Sequence, residues 1–203
     1  MENKGFSLIE LVVAVAVSVA VVFLVTAFAR NLFVLNLSAQ SRMTAILESR
    51  KVLGTIVAEL RSTAPSALGS YPIESVATSS VVFFVDVNSD EASDRLRYFF
   101  DPVSRSVKRG VVLASGSPPS YALGSETFST LITGVSNDEF LPLFEYYDGE
   151  YDGSSTPLPW PVNIPDIRLV KINIRIERDP NRTPTEFMVI SSQATLRNLK
   201  DNI

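Results

Sequence analysis

A single carboxylate, Glu10, lies inside a stretch that is otherwise free of charge. From Phe6 to Phe28 the chain is apolar except for Ser7, Glu10, Ser18 and Thr26. As a helix this run is about 35 Å long at ~1.5 Å per residue, enough to cross a hydrocarbon core of roughly 30 Å. An ionisable group one turn inside such a span is costly, which makes Glu10 a functional candidate. The chemistry it offers is charge pairing with a cation that enters the same apolar surroundings. A second constellation is Asp86-Val87-Asn88-Ser89-Asp90. Its D-x-N-x-D spacing presents oxygens at Asp86, Asn88 and Asp90 as a calcium loop does. The sharp-turn glycine is missing, and Arg97 stands where a bidentate glutamate would close the loop, so a solvated hairpin loop is the competing reading.

Other chemistry is excluded by composition. The chain has no histidine and no cysteine, which removes Ser-His-Asp and Cys-His catalysis and cysteine zinc sites. No nucleophile motif stands out, and an enzyme is not expected. The formal net charge of −4 gives no basic surface for nucleic acid. No cofactor is implied beyond the calcium candidate. The aromatic residues Tyr71, Tyr121, Tyr146, Tyr147, Tyr151 and Trp160 are expected at the surface, covering the edge of a core or marking a contact.

These candidates need elements to position them. Residues 1–5 form a polar leader whose Lys4 should stay cytoplasmic, with the rest translocated. Residues 6–29 are the membrane-spanning half of a helix, and 30–64 its amphipathic half. Between Arg30 and Ala64 there is no proline and one glycine, Gly54. Met43, Ile46, Leu47, Leu53, Val57 and Leu60 recur at helical spacing and form one apolar stripe, of which Ile46 to Leu60 is expected to lie against a sheet. Pro65 predicts the stop at Ala64. Residues 65–203 read as a β-rich domain. A loop to about Ser80 is followed by a hairpin, Val81–Val85 with Leu96–Phe100, and a third strand within 103–113. Residues 114–125 read as a loop. Strands are expected over 126–133 and 139–147, then a long loop over 148–165. The last hairpin pairs the Ile172-Ile174-Ile176 alternation with Met188, Ile190, Ala194 and Leu196 across a turn at 179–184. A slip in parity at Leu169-Val170 predicts a bulge or a strand start. The fold class is therefore α+β, a long N-terminal helix packed along its second half on an antiparallel sheet.

Gly5-Phe6-Ser7-Leu8-Ile9-Glu10, followed by a Val/Ala/Leu-rich helix, resembles the N-terminal signal of type IV pilins and of the pseudopilins of type II secretion. The resemblance covers about the first 30 residues closely; the rest matches the family in layout. It implies cleavage after Gly5 by a prepilin peptidase, N-methylation at Phe6 by the same enzyme, and a role for Glu10 in filament assembly. It implies as partners other pilins or pseudopilins in a helical filament, and an assembly platform in the inner membrane. Before assembly the chain would sit in that membrane as a single-pass protein, with its C-terminal domain outside the cytoplasm. The disulfide-closed C-terminal loop of many major pilins has no counterpart here. The length and strand-rich C-terminal part are closest to minor pilins and J-type minor pseudopilins. The alternative is a filament-tip binding module for a surface ligand, a secreted protein or DNA.

Overall fold

The structure, a computed structural model, describes residues 7–177 and 187–196, with side chains left out for 34–42. The chain divides into two compact units, Met1–Thr44 and Ala45–Ile203. One helix, α1 (Leu8–Arg61), runs through the boundary.

In the first unit, Leu8–Phe33 is long and apolar enough to cross a membrane, with a mean hydropathy of 3.0 and no buried residue in its apolar window. The apolar window thus passes residue 29, the expected end of the span, and takes in Arg30. β-Branched residues weaken a helix in water, but in lipid the backbone must satisfy its own hydrogen bonds and the helix prevails. The two hydroxyls deep in the span are satisfied within it. Ser18 donates to the Ala14 carbonyl at 2.8 Å and Thr26 to the Val22 carbonyl at 2.7 Å.

In the second unit the helix buries Ser49, Val52, Leu53, Ile56, Val57 and Leu60, a stripe at three- and four-residue spacing. Within the stretch expected against a sheet, Ile46 to Leu60, Leu47 departs: it is 57% exposed. The helix also stops before Ala64. Thr63 N–H already bonds the Leu60 carbonyl in a tightened turn, and Ala64 N–H goes to the Phe84 carbonyl of the sheet at 3.0 Å. Pro65 biases Ala64 toward extended backbone, and the neighbouring strand supplies the lost partner.

The strands are β1 (Ile73–Val76), β2 (Ser80–Val85), β3 (Asp94–Asp101), β4 (Ser106–Val112), β5 (Ala114–Ser115), β6 (Ser120–Tyr121), β7 (Thr127–Thr133), β8 (Phe144–Tyr147), β9 (Leu169–Glu177) and β10 (Phe187–Thr195). They do not form one sheet. A five-stranded sheet has the order β1-β2-β3-β4-β7 and a three-stranded sheet the order β10-β9-β8, all neighbours antiparallel. Val52, Ile56 and Leu60 of the helix share one core with Phe83, Leu96, Tyr98 and Val107 of the first sheet and Val170, Ile172 and Ile174 of the second. The antiparallel α+β class stands; the expected loop before Ser80 contains β1, and the strand expected from 139 begins only at Phe144. Asp138 explains that delay, because its carboxylate accepts the N–H groups of Phe140 and Leu141 and holds a turn there. The parity slip at Leu169-Val170 is a strand start; the β9–β10 register runs without a shift from Leu169 to Glu177. The turn at 179–184 lies outside the described residues.

Loop 114–125 folds back through the small β5–β6 ribbon. Tyr121 packs at a tilt against Phe84, ring centres 5.2 Å apart, accepts from Ala67 N–H and donates to the Ser93 carbonyl at 2.6 Å. This covers Phe84, which like Val82 lies outside the core that the helix shares with the sheet. Nearby, Arg97 forms a bidentate pair with Glu126 (2.9 and 2.8 Å) and lies over the Phe99 ring at 4.5 Å. Gly110, opposite Arg97, makes room for it: a Cβ there would fall 2.1 Å from Glu126 Oε1. Gly110→Ala is expected to push Glu126 off Arg97 and cost about 1 kcal/mol, whereas Gly124→Ala, with open space around it, should be neutral. Urea titrations followed by Trp160 fluorescence compare the two.

Candidate functional site

Glu10 sits in the first turn of α1 and is exposed. Its carboxylate accepts the Ser7 N–H at 3.1 Å, while Ser7 Oγ accepts the Glu10 N–H at 3.3 Å. Two amides that the helix start would leave unpaired are thereby satisfied reciprocally. The anionic side chain also lies at the positive end of the helix dipole. Ser-x-x-Glu ahead of an apolar run is the sequence signature of this capping box, and it was available in Ser7-Leu8-Ile9-Glu10. Glu10 therefore has a structural occupation besides any pairing with a cation from outside. Gly5 and Phe6 lie outside the described residues.

The oxygens of the Asp86 loop are committed locally. Asp86 accepts from the amides of Asp90 (3.3 Å) and Glu91 (3.0 Å). Asn88 accepts from Asp90 N–H and donates to Asp90 Oδ2, and Asp90 Oδ1 accepts from Ala92 N–H. Ser89 and Glu91 take left-handed backbone, with φ of 60° and 68°. The side chains thus hold a strained hairpin loop by bonding to its own amides. Among the described residues no group of three or more Asp or Glu side chains is gathered as a metal would require.

Sequence reasoning missed the polar cluster that fastens the helix to the first sheet. Glu59, beside the buried Leu60 on the helix, accepts two bonds from Arg109 of β4 (3.2 and 2.8 Å) and one from the Tyr98 hydroxyl of β3. The signal lay in β4, where Arg109 alternates with Val107 and Val111 on the core-facing side and so demands an anionic partner. Burial raises the Tyr98 hydroxyl far above its ordinary range, and the neighbouring Glu59 charge and hydrogen bond raise it further.

The aromatic residues are not a surface set. Tyr146 and Tyr147 are buried, and Tyr146 donates to the Ala77 and Ser80 carbonyls at 2.9 and 3.1 Å, with Trp160 edge-on at 6.0 Å. Burial raises the Tyr146 hydroxyl far above its ordinary range as well. The folded chain therefore holds these two protons more tightly than the unfolded chain does. Stability is complete below pH ~10, where both states are protonated, and falls above it because only the unfolded chain ionises. By about pH 12 the loss is expected to reach about 2–3 kcal/mol for each tyrosine. Urea midpoints measured between neutral pH and that value, for the wild-type chain and Tyr146→Phe, check this; the variant should lose about half of the slope.

Searches among protein-family models, curated proteins and solved structures find no match for the chain.

Proposed function

We propose that the chain is a membrane-anchored filament subunit of the type IV pilin and pseudopilin kind, nearest to the minor subunits. The observation that carries this reading is one helix, Leu8–Arg61, whose apolar first part holds a lone carboxylate in its first turn and whose last turns are built into a β-rich unit. A soluble domain does not need such a helix. A chain that must be anchored in lipid and then bundled through its anchors does.

In the proposed sequence of events, the anchor inserts with Lys4 on the cytoplasmic side and a membrane peptidase cuts between Gly5 and Phe6. The new amine at Phe6 is methylated, and the subunit is drawn into a helical bundle. There Glu10 exchanges its bond to its own Ser7 amide for the amine of a neighbouring subunit. A buried pair of that kind sets register more than it adds stability. Intact-mass spectrometry of the membrane-extracted chain tests the processing. Loss of residues 1–5 with the mass of one added methyl group is the expected result; an intact Met1 overturns the proposal.

A further inference from the structure

Four strand edges border the two sheets, and they are not alike. β1 and β8 are four residues each and carry Glu74 and Glu145, while β1 and β7 each have a register irregularity against their neighbour. Short edge strands and charges on them are how proteins discourage strand addition. β7 (TFSTLIT, seven residues) and β10 (FMVISSQAT, nine residues) have no charge, no proline and no glycine. Each pairs on one side alone among the described residues. On β7, Thr127, Phe128, Ser129, Thr130 and Thr133 are exposed. On β10, Phe187 and Val189 stand about half exposed.

The two open edges also run in opposite senses. One end of the unit collects the starts of β2, β4 and β8 and the ends of β3, β7 and β9. The bonds that tie this end together are Phe144 N–H to the Thr78 carbonyl, Phe100 N–H to the Ser79 carbonyl and Val135 N–H to the Arg105 carbonyl. The Val135–Ile176 bridge joins the second sheet at the same end. β10, antiparallel to β9, starts there too, whereas β7 finishes there. Copies standing side by side with the same end toward a membrane would therefore meet β7 to β10 in antiparallel fashion, with no subunit inverted.

We infer that the second unit associates head to tail with further copies of this chain, β7 of one copy pairing with β10 of the next. The contact is heterologous, so it extends from copy to copy instead of closing on a pair. Backbone hydrogen bonds supply the attraction, and neither strand carries a charge of its own to oppose it. The common orientation of the copies rests on the filament-subunit reading; the chemistry of the two edges does not.

The natural absence of cysteine makes the test clean. Full-length Ser129→Cys, Val189→Cys and the double variant are expressed in membranes and treated with a short flexible bismaleimide. Its reach should cover the roughly 5 Å between paired strands plus a small error in register. The double variant is expected to give a ladder of dimers, trimers and higher species, and the two single variants mixed to give dimers. Neither single variant alone should cross-link. Adding Thr130→Lys to the double variant should lower the ladder by about tenfold, with the folded circular-dichroism spectrum kept. Cross-linking of one single variant as efficient as that of the mixture, or no ladder from the double variant, overturns the proposal. The mass of the same sample separates the two readings. A ladder from chains that keep Met1 upholds the strand pairing and defeats the filament reading; processed chains without a ladder do the reverse.

Discussion

A Glu10→Gln chain is expected to insert, to be processed and to remain in the membrane unassembled. Glutamine at this position can still accept the Ser7 amide, so the helix start stays capped. What is lost is the charge. If Glu10 serves to meet a neighbour's amine, Glu10→Gln should fail as fully as Glu10→Ala, with the share of processed chain in sheared filaments falling by about tenfold or more. Glu10→Asp, which keeps the charge on a shorter arm, should recover part of it. If the carboxylate does no more than cap its own helix, Glu10→Gln assembles like the wild type and the pairing role is refuted. Comparing the three variants by fractionation of membranes and sheared filaments separates cap from counter-ion, two functions that one side chain combines.

The second large effect concerns Glu59. Replacing it with alanine leaves the Arg109 guanidinium and the Tyr98 hydroxyl without their acceptor on the helix. The Arg109 and Glu59 side chains are 17% and 22% exposed, so water screens the pair only in part. The expected loss is about 2–3 kcal/mol, below the cost of a fully buried pair and above that of a surface one. Glu59→Gln, which can still accept one bond, should lose about half as much. Substituting Glu59→Leu, Tyr98→Phe and Arg109→Met together should restore much of the stability, because the desolvation of the charges disappears with them. Urea unfolding followed by Trp160 fluorescence measures all three; a loss below about 0.5 kcal/mol for Glu59→Ala would mean the cluster is a surface pair in energetic terms.

The outline of the fold was legible where periodicity was strong. Val52 to Leu60 and the Ile172-Ile174-Ile176 alternation each repeat often enough to identify both the element and its buried side. β1 was not legible, since Ile73 alone of its four residues is buried and Pro72 precedes it. The division into two sheets was not legible either. It depends on Tyr146 reaching the Ala77 and Ser80 carbonyls, 69 and 66 residues away, and no local pattern carries that. At the N-terminus, Glu10 was visible as an anomaly in an apolar run, but its partner Ser7 was read as an interruption when it is half of a cap. The stripe failed at Leu47 because helical spacing reports which residues share a face, not whether a neighbour covers it.

Asn173 has a consequence for how the last hairpin finds its alignment. It is 1% exposed on β9. Its amide donates to Glu145 at 3.0 Å, its Oδ1 accepts from Ser191, and its backbone carbonyl accepts from Asn137. A slip of β9 by one residue would turn Lys171, Arg175 and Glu177 into the core, which the apolar alternation already forbids. A slip by two keeps every isoleucine inward, and hydrophobicity alone would tolerate it. That slip would carry the Asn173 amide away from Glu145 and Ser191 and put Lys171 or Arg175 into the enclosed slot it leaves. The isoleucines thus reject the odd misalignments and one buried amide rejects the even ones, leaving the strand a single place to stop.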